Sequence, residues 1–210
     1  IARIVGTVDK PGLIYVEYRA EGVGRFRSRT VASDGTNYAV HVVRLRANTE
    51  YRYQVFGATT DARTSRGPSG TFVTGKLPPI LKDAQFNVLQ GRPTHRLTHM
   101  EFKQPGFWGL VAIDGEGHVV WYYDSSQIPR IVAAMAQKSN GNIVYHGADM
   151  PESASILVEI NPLGEELDRL EGDCPRSGPF HHEVHLLPDG EVMYVSTIIS
   201  RPGFGDPLAP

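Results

Sequence analysis

Phe180-His181-His182-Glu183-Val184-His185-Leu186-Leu187-Pro188-Asp189-Gly190 gathers the densest titratable chemistry of this 210-residue chain. Three of the eight histidines fall within five residues, at the head of a strand that runs into a tight turn. Imidazole can act as nucleophile, general acid and general base near neutral pH. Strand alternation would place His181, Glu183 and His185 on one face and His182, Val184 and Leu186 on the other.

Three chemistries are open to the cluster. In the first, the residues are satisfied polar groups at a strand entrance, with His185 exposed. In the second, His181, Glu183 and His185 hold a metal. Same-face neighbours lie ~6.5–7 Å apart, so two could chelate while three in a row would be strained. His182-Glu183-Val184-His185 also lacks the zinc-protease spacing, having one residue between the acid and the second histidine where that helical motif has two. No metal is therefore assigned. In the third, the histidines bind an anion and move protons or a group.

Other residues extend the third reading. His146, read as the end of a strand, and Arg201, after Ser196–Ser200, are candidates to bind substrate beside His182 and His181. His95 and His99 are four apart, but their segment does not read as a helix that would pair them on a metal. Trp108, Trp121, Tyr122 and Tyr123 read as packing residues. The single Cys174 lies in a Gly/Pro/Asp-rich loop and leaves the redox compartment open. There is no phosphate-cradling glycine loop and no Ser/His/Asp nucleophile elbow.

The elements that must position these groups are all β. Residues 1–75 carry short runs rich in β-branched and aromatic residues, such as Leu13–Tyr18, Tyr38–Val43 and Glu50–Phe56. Turn signals at Lys10-Pro11-Gly12, Ser33-Asp34-Gly35 and Arg46-Ala47-Asn48-Thr49 separate them. This spacing suggests a small β-sandwich. Residues 76–82, with paired prolines, read as a linker.

From residue 83 the pattern is a series of hairpins. Leu110–Asp114 turns at Gly115-Glu116-Gly117 into His118–Tyr123. Ile131–Met135 turns at Ser139-Asn140-Gly141 into Asn142–Tyr145. Ile156–Leu167 repeats the first hairpin and His182–Tyr194 the second. Gly117 to Gly164 is 47 residues and Gly141 to Gly190 is 49. Two hairpins per period of this size predict a four-stranded blade of a β-propeller. Residues 83–210 then hold two to three blades, an incomplete propeller. The remaining blades would lie beyond residue 210 or come from another copy of the chain, as a homo-oligomer. Counting back 49 residues, His182 takes the place of Ala133 in the preceding unit, on a strand expected near the central channel.

Charge and hydropathy exclude other classes. The formal net charge of −2 argues against an electrostatic nucleic-acid binder. The sandwich is nonetheless locally basic, with Arg19, Arg25, Arg27, Arg29, Arg44, Arg46 and Arg52, read as a solvated face. No apolar run approaches the ~20 residues of a membrane-spanning helix. The chain starts at Ile1, as expected of a fragment or of a protein whose signal peptide has been removed.

Phe180–Val192 resembles the strand of the bacterial arylsulfate sulfotransferases that carries a double histidine, an acid and then Leu-Leu-Pro-Asn-Gly; Glu183 stands where that family usually has Asp. Ile113-Asp114-Gly115-Glu116-Gly117-His118-Val119-Val120-Trp121 is similar to its recurrent Asp-x-x-Gly-x-Val-x-Trp hairpin. Leu45–Val55 resembles the tyrosine corner of a fibronectin type III domain, and Ser69–Thr74 its closing strand. The resemblance implies a fibronectin type III-like sandwich followed by a propeller. It also implies an extracytoplasmic (secreted or periplasmic) location and transfer of sulfate from a phenolic sulfate ester to a phenol without a nucleotide or other cofactor. Within it, His182 has a channel role and His181 supports it. The family's sulfated histidine and principal arginine belong to later blades. A different class fits the same architecture: a secreted or cell-surface binding or adhesion protein without catalysis.

Overall fold

The computed structural model describes residues 1–58, 64–87, 97–126, 131–148, 155–171 and 180–196; of residues 131, 133, 180–182 and 196 the backbone alone is described. Strands make up nearly all of the regular structure, so the all-β expectation holds. The chain forms two compact units, one of residues 1–98 and 112–121, the other of residues 99–111 and 122–210.

In the first unit, β1 (Ala2–Thr7) pairs antiparallel with β5 (Asn37–Val42). A second sheet runs in the order β3 (Gly24–Arg27), β2 (Gly12–Ala20), β6 (Glu50–Ala58), β7 (Thr64–Val73), with β4 (Val31–Ser33) also on β2. Strand alternation explains how the two sheets meet. Ile14, Val16 and Tyr18 of β2 point inward, as do Tyr38, Val40 and Val42 of β5 and Tyr51 and Val55 of β6. Tyr51 is fully buried, and its hydroxyl accepts the Arg46 backbone N–H at 2.9 Å. That bond satisfies a polar group the core would otherwise strand. The segment read as a plain linker contains a short helix, α1 (Pro79–Lys82), with Leu81 buried. A proline at the first helical position gives up no hydrogen bond, so the paired prolines start this turn as well as stiffen the chain.

The same unit contains the turn at 114–118. Asp114 uses its two carboxylate oxygens separately. Oδ1 accepts the backbone N–H groups of Glu116 and His118, both at 3.0 Å. Oδ2 accepts Arg46 Nε at 2.8 Å, while the other arm of Arg46 reaches Glu116 Oε2 at 2.8 Å. The Asp114 and Arg46 side chains are each only 15% exposed, so this is not a freely solvated pair. Burial alone would raise the Asp114 pKa, but the two N–H donors and the guanidinium outweigh it and hold the carboxyl below its ordinary value of 3.8. A folded pKa below the unfolded one stabilises the fold above the unfolded value, and the stabilisation is lost as pH falls through the folded value. Asp114→Asn should therefore cost ~1–3 kcal/mol at pH 7. In denaturant titrations the gap from the parent should close as pH drops below about 3.8. A gap that persisted undiminished at pH 2 would show that charge is not the cause.

The remaining strands are hairpins. β8 (Leu97–Gln104), β9 (Phe107–Asp114) and β10 (Val119–Asp124) form a three-stranded sheet in the order β10-β9-β8. β11 (Ile131–Gln137), β12 (Ile143–Ala148), β13 (Ser155–Ile160) and β14 (Glu166–Glu171) form a four-stranded antiparallel meander. β15 (Phe180–Leu186) and β16 (Val192–Ser196) pair with each other. The expected four-stranded sheet is present, but its limits fall one hairpin later than the sequence grouping. The second hairpin of one repeat joins the first of the next, because β12 and β13 pair along their whole length from Ile143–Ile160 to Ala148–Ser155.

Four of the hairpin turns have the same build. The glycine at the fourth position of each, Gly117, Gly141, Gly164 or Gly190, has φ between 83° and 96°. Its N–H donates to the carbonyl three residues back, at 2.9–3.0 Å. A side chain with Cβ would be strained there. The turns differ in which residue caps them, and the difference alternates. Asp114 and Asn161 cap from the first position. Asn140 and Asp189 cap from the third. The two-hairpin period is thus written in hydrogen bonds as well as in residue types.

Candidate functional site

β15 has one buried face and one solvated face. Val184, 7% exposed, packs with Ala134 of β11, Val144 of β12 and Leu157 of β13, and Leu186 and Val192 lie against the same cluster. On the opposite face Glu183 and His185 meet at 3.0 Å, Nε2 to Oε2, with side chains 68% and 58% exposed. The expected shared face of Glu183 and His185 is present. An ion pair this exposed contributes little. Glu183→Gln should change stability by less than ~0.5 kcal/mol in chemical denaturation.

The histidine pair sits where the ladder breaks. Phe180 pairs with Ser196 and His181 with Val195, but the next partner of β16, Tyr194, faces Val184. His182 and Glu183 are the extra residues of a bulge. Strict alternation through the cluster, assumed from the sequence, is therefore corrected. It relates Glu183, Val184, His185 and Leu186, but cannot be carried back across the bulge to His181. β11 has a bulge at the matching place. Val132 pairs with Gly147 and Ala134 with His146, leaving Ala133 as the extra residue. Ala133 is the residue 49 positions before His182. A bulge bends its strand and re-aims a side chain, and bulges recur beside active sites. Simple alternation would have given position 182 the apolar character of Val184 and Leu186, so a histidine there was the one sequence signal that the pattern changes.

His146 lies in the same neighbourhood. It was read as a strand end, but β12 continues to Ala148, so His146 is an interior strand residue, 2% exposed, between Ala134 and Leu157 in the sheet. β15 packs against both β11 and β12. The backbone thus brings together a buried histidine, the bulge at Ala133 and the bulge at His182. The side chains of His181 and His182, and all of Arg201, Cys174 and His95, lie outside the described residues. His99 is half-buried on β8, and burial lowers its pKa. Among the aromatic residues read as packing, Tyr123 lies against the fully buried Tyr145, ring centres 5.6 Å apart and hydroxyls 3.2 Å apart. Tyr122 meets Phe107 edge-on at 6.3 Å. No group of three or more His, Cys, Asp or Glu side chains converges on a metal position among the described residues, and no helix among them is long and apolar enough to cross a membrane.

Comparison with curated proteins gives no match. Comparison with protein families gives one, to the arylsulfotransferase (ASST) family, over residues 89–202. The match spans more than half of the chain and contains the four glycine-closed hairpins of the repeat, both bulges and the double histidine. The repeat, the double-histidine strand and this match agree, and the chain belongs to the arylsulfotransferase family.

Proposed function

We propose that this protein acts in sulfate transfer from a phenolic sulfate ester to a phenol, without a nucleotide sulfate donor, in a histidine-lined channel of a β-propeller. Family membership carries the arylsulfotransferase-like function and phenolic substrates. The observation that supports the finer reading is the bulge at His182 on β15, a strand that packs against β12 with its buried His146 and against β11 with its matching bulge at Ala133. In this reading the sulfuryl group is carried on a histidine nitrogen. The donor's aryl O–S bond breaks as an N–S bond forms, and the departing phenolate takes a proton. The acceptor's oxygen then attacks sulfur, the N–S bond breaks, and the acceptor loses its proton. His182, with His181, exchanges these protons, and His146 and Arg201 hold the sulfuryl oxygens. Cationic and N–H donors aimed at those oxygens stabilise the charge in transit. The sandwich of residues 1–75, the linker 76–82 and propeller blades from residue 83 complete the arrangement, in an extracytoplasmic protein.

The test is p-nitrophenolate release from p-nitrophenyl sulfate by the full-length protein in nucleotide-free buffer, with a phenol acceptor varied. Ping-pong kinetics that respond to both substrates are expected. Release that requires an added nucleotide donor would contradict the proposal.

A further inference from the structure

The outer face of the five-stranded sheet carries a charge arrangement that folding alone disfavours. Ladder partners place Arg25 of β3 beside Arg19 of β2, and Arg19 beside Arg52 of β6. Three guanidinium groups thus lie in one row across three strands. Like charges directly opposite one another destabilise a sheet. The carboxylates near the row are Glu17, which pairs with Arg25, and Glu21 and Glu50, at the edge of the sheet. Among the described residues, no acid lies within ion-pair distance of Arg19 or Arg52. All three arginines of the row are exposed.

The surface around the row is concave. A depression of about 520 Å³ is lined by Arg19, Arg25, Arg52 and Arg66. A second, of about 570 Å³, meets it at Arg19 and Arg52. Two rows along the same face, Tyr15 stacks on Phe56 with ring centres 5.1 Å apart, and the Arg27 guanidinium lies 3.6 Å over the Tyr15 ring. Guanidinium forks match sulfate and carboxylate oxygens in two-pronged hydrogen bonds. Phe56 and Arg27 cover the Tyr15 ring, so the binding chemistry of this face is that of its guanidinium groups. A hollow surface fits a membrane plane poorly.

We infer that the outer face of the sandwich binds an acidic polysaccharide, whose sulfate or carboxylate groups are held by Arg19, Arg25 and Arg52. This site is separate from the histidine strand and does not depend on the reaction assigned to it.

Binding of the full chain to dextran sulfate, with neutral dextran as the blank, tests the inference. Substituting Arg19→Thr or Arg52→Thr should weaken binding about 10-fold each. The same substitutions should leave the melting temperature unchanged or higher, because they relieve a like-charge row. They should not alter p-nitrophenyl sulfate turnover, and His182→Ala should not alter dextran sulfate binding. Binding that survives in the double variant would overturn the inference. So would equal binding to neutral dextran, or tighter binding to a single-stranded oligonucleotide or to anionic phosphatidylserine vesicles at the same ionic strength.

Discussion

Replacing His182 by Ala is expected to lower kcat for sulfate transfer ~10²–10⁴-fold, the range supplied by a positioned proton donor or acceptor. The melting temperature should barely change. The residue is an extra member of a bulge, so its loss removes no ladder partner on β16. This separation of effects is the informative part. Transfer by His182→Ala at the parent rate would take His182 out of the mechanism. If activity fell only in step with stability, His182 would be a structural residue. His182→Gln, which keeps a hydrogen bond donor and acceptor but cannot titrate, should be nearly as impaired as the alanine variant. The alanine at the matching place in β11, Ala133, shows that the bulge itself does not require histidine.

The second large effect is on the strand that holds the pair. Val184→Asp places a carboxylate at a position 7% exposed, among Ala134, Val144 and Leu157. Burying an unpaired charged or polar group there should cost on the order of 3–5 kcal/mol. That should release the β15–β16 hairpin from the four-stranded sheet and abolish transfer with it. Val184→Ile, which keeps the apolar contact, should retain most of both. Denaturant unfolding of the two variants checks the cost, and activity after refolding checks the link to function. A Val184→Asp variant as stable as the parent would mean that this face of β15 is solvated, contrary to the packing described.

What was legible in the sequence followed from local rules. Asp or Asn followed by glycine at positive φ fixes a hairpin turn through a side-chain cap and one backbone bond, so the four turns of the repeat and their period could be read from residue types. The bond from the Arg46 N–H to the Tyr51 hydroxyl fits the tyrosine corner that Leu45–Val55 resembles, a likeness carried by the family pattern rather than by turn chemistry. What was not legible depends on neighbours distant in the chain. The grouping of hairpins into sheets is decided by whether β12 pairs with β13, and turn chemistry does not encode that. The bulges at Ala133 and His182 are set by the ladder with a partner strand, so face assignments made by alternation carried only from Glu183 onward. The grip of Arg46 on Asp114 joins residues 68 apart, and nothing in either local motif announces it. The sequence places Arg46 in a turn and among several solvated arginines, with no sign of this partner.

The central claim is sulfuryl transfer between phenols, and the most direct measurement of it is product stoichiometry. Full-length protein, free of nucleotides, is incubated with p-nitrophenyl sulfate and a second phenol, and p-nitrophenolate, the acceptor's sulfate ester and inorganic sulfate are quantified together. The account predicts that the sulfate ester forms in step with p-nitrophenolate, with little inorganic sulfate. Inorganic sulfate in place of the ester would make the protein a hydrolase, and no release of p-nitrophenolate from a folded protein would leave it without this activity.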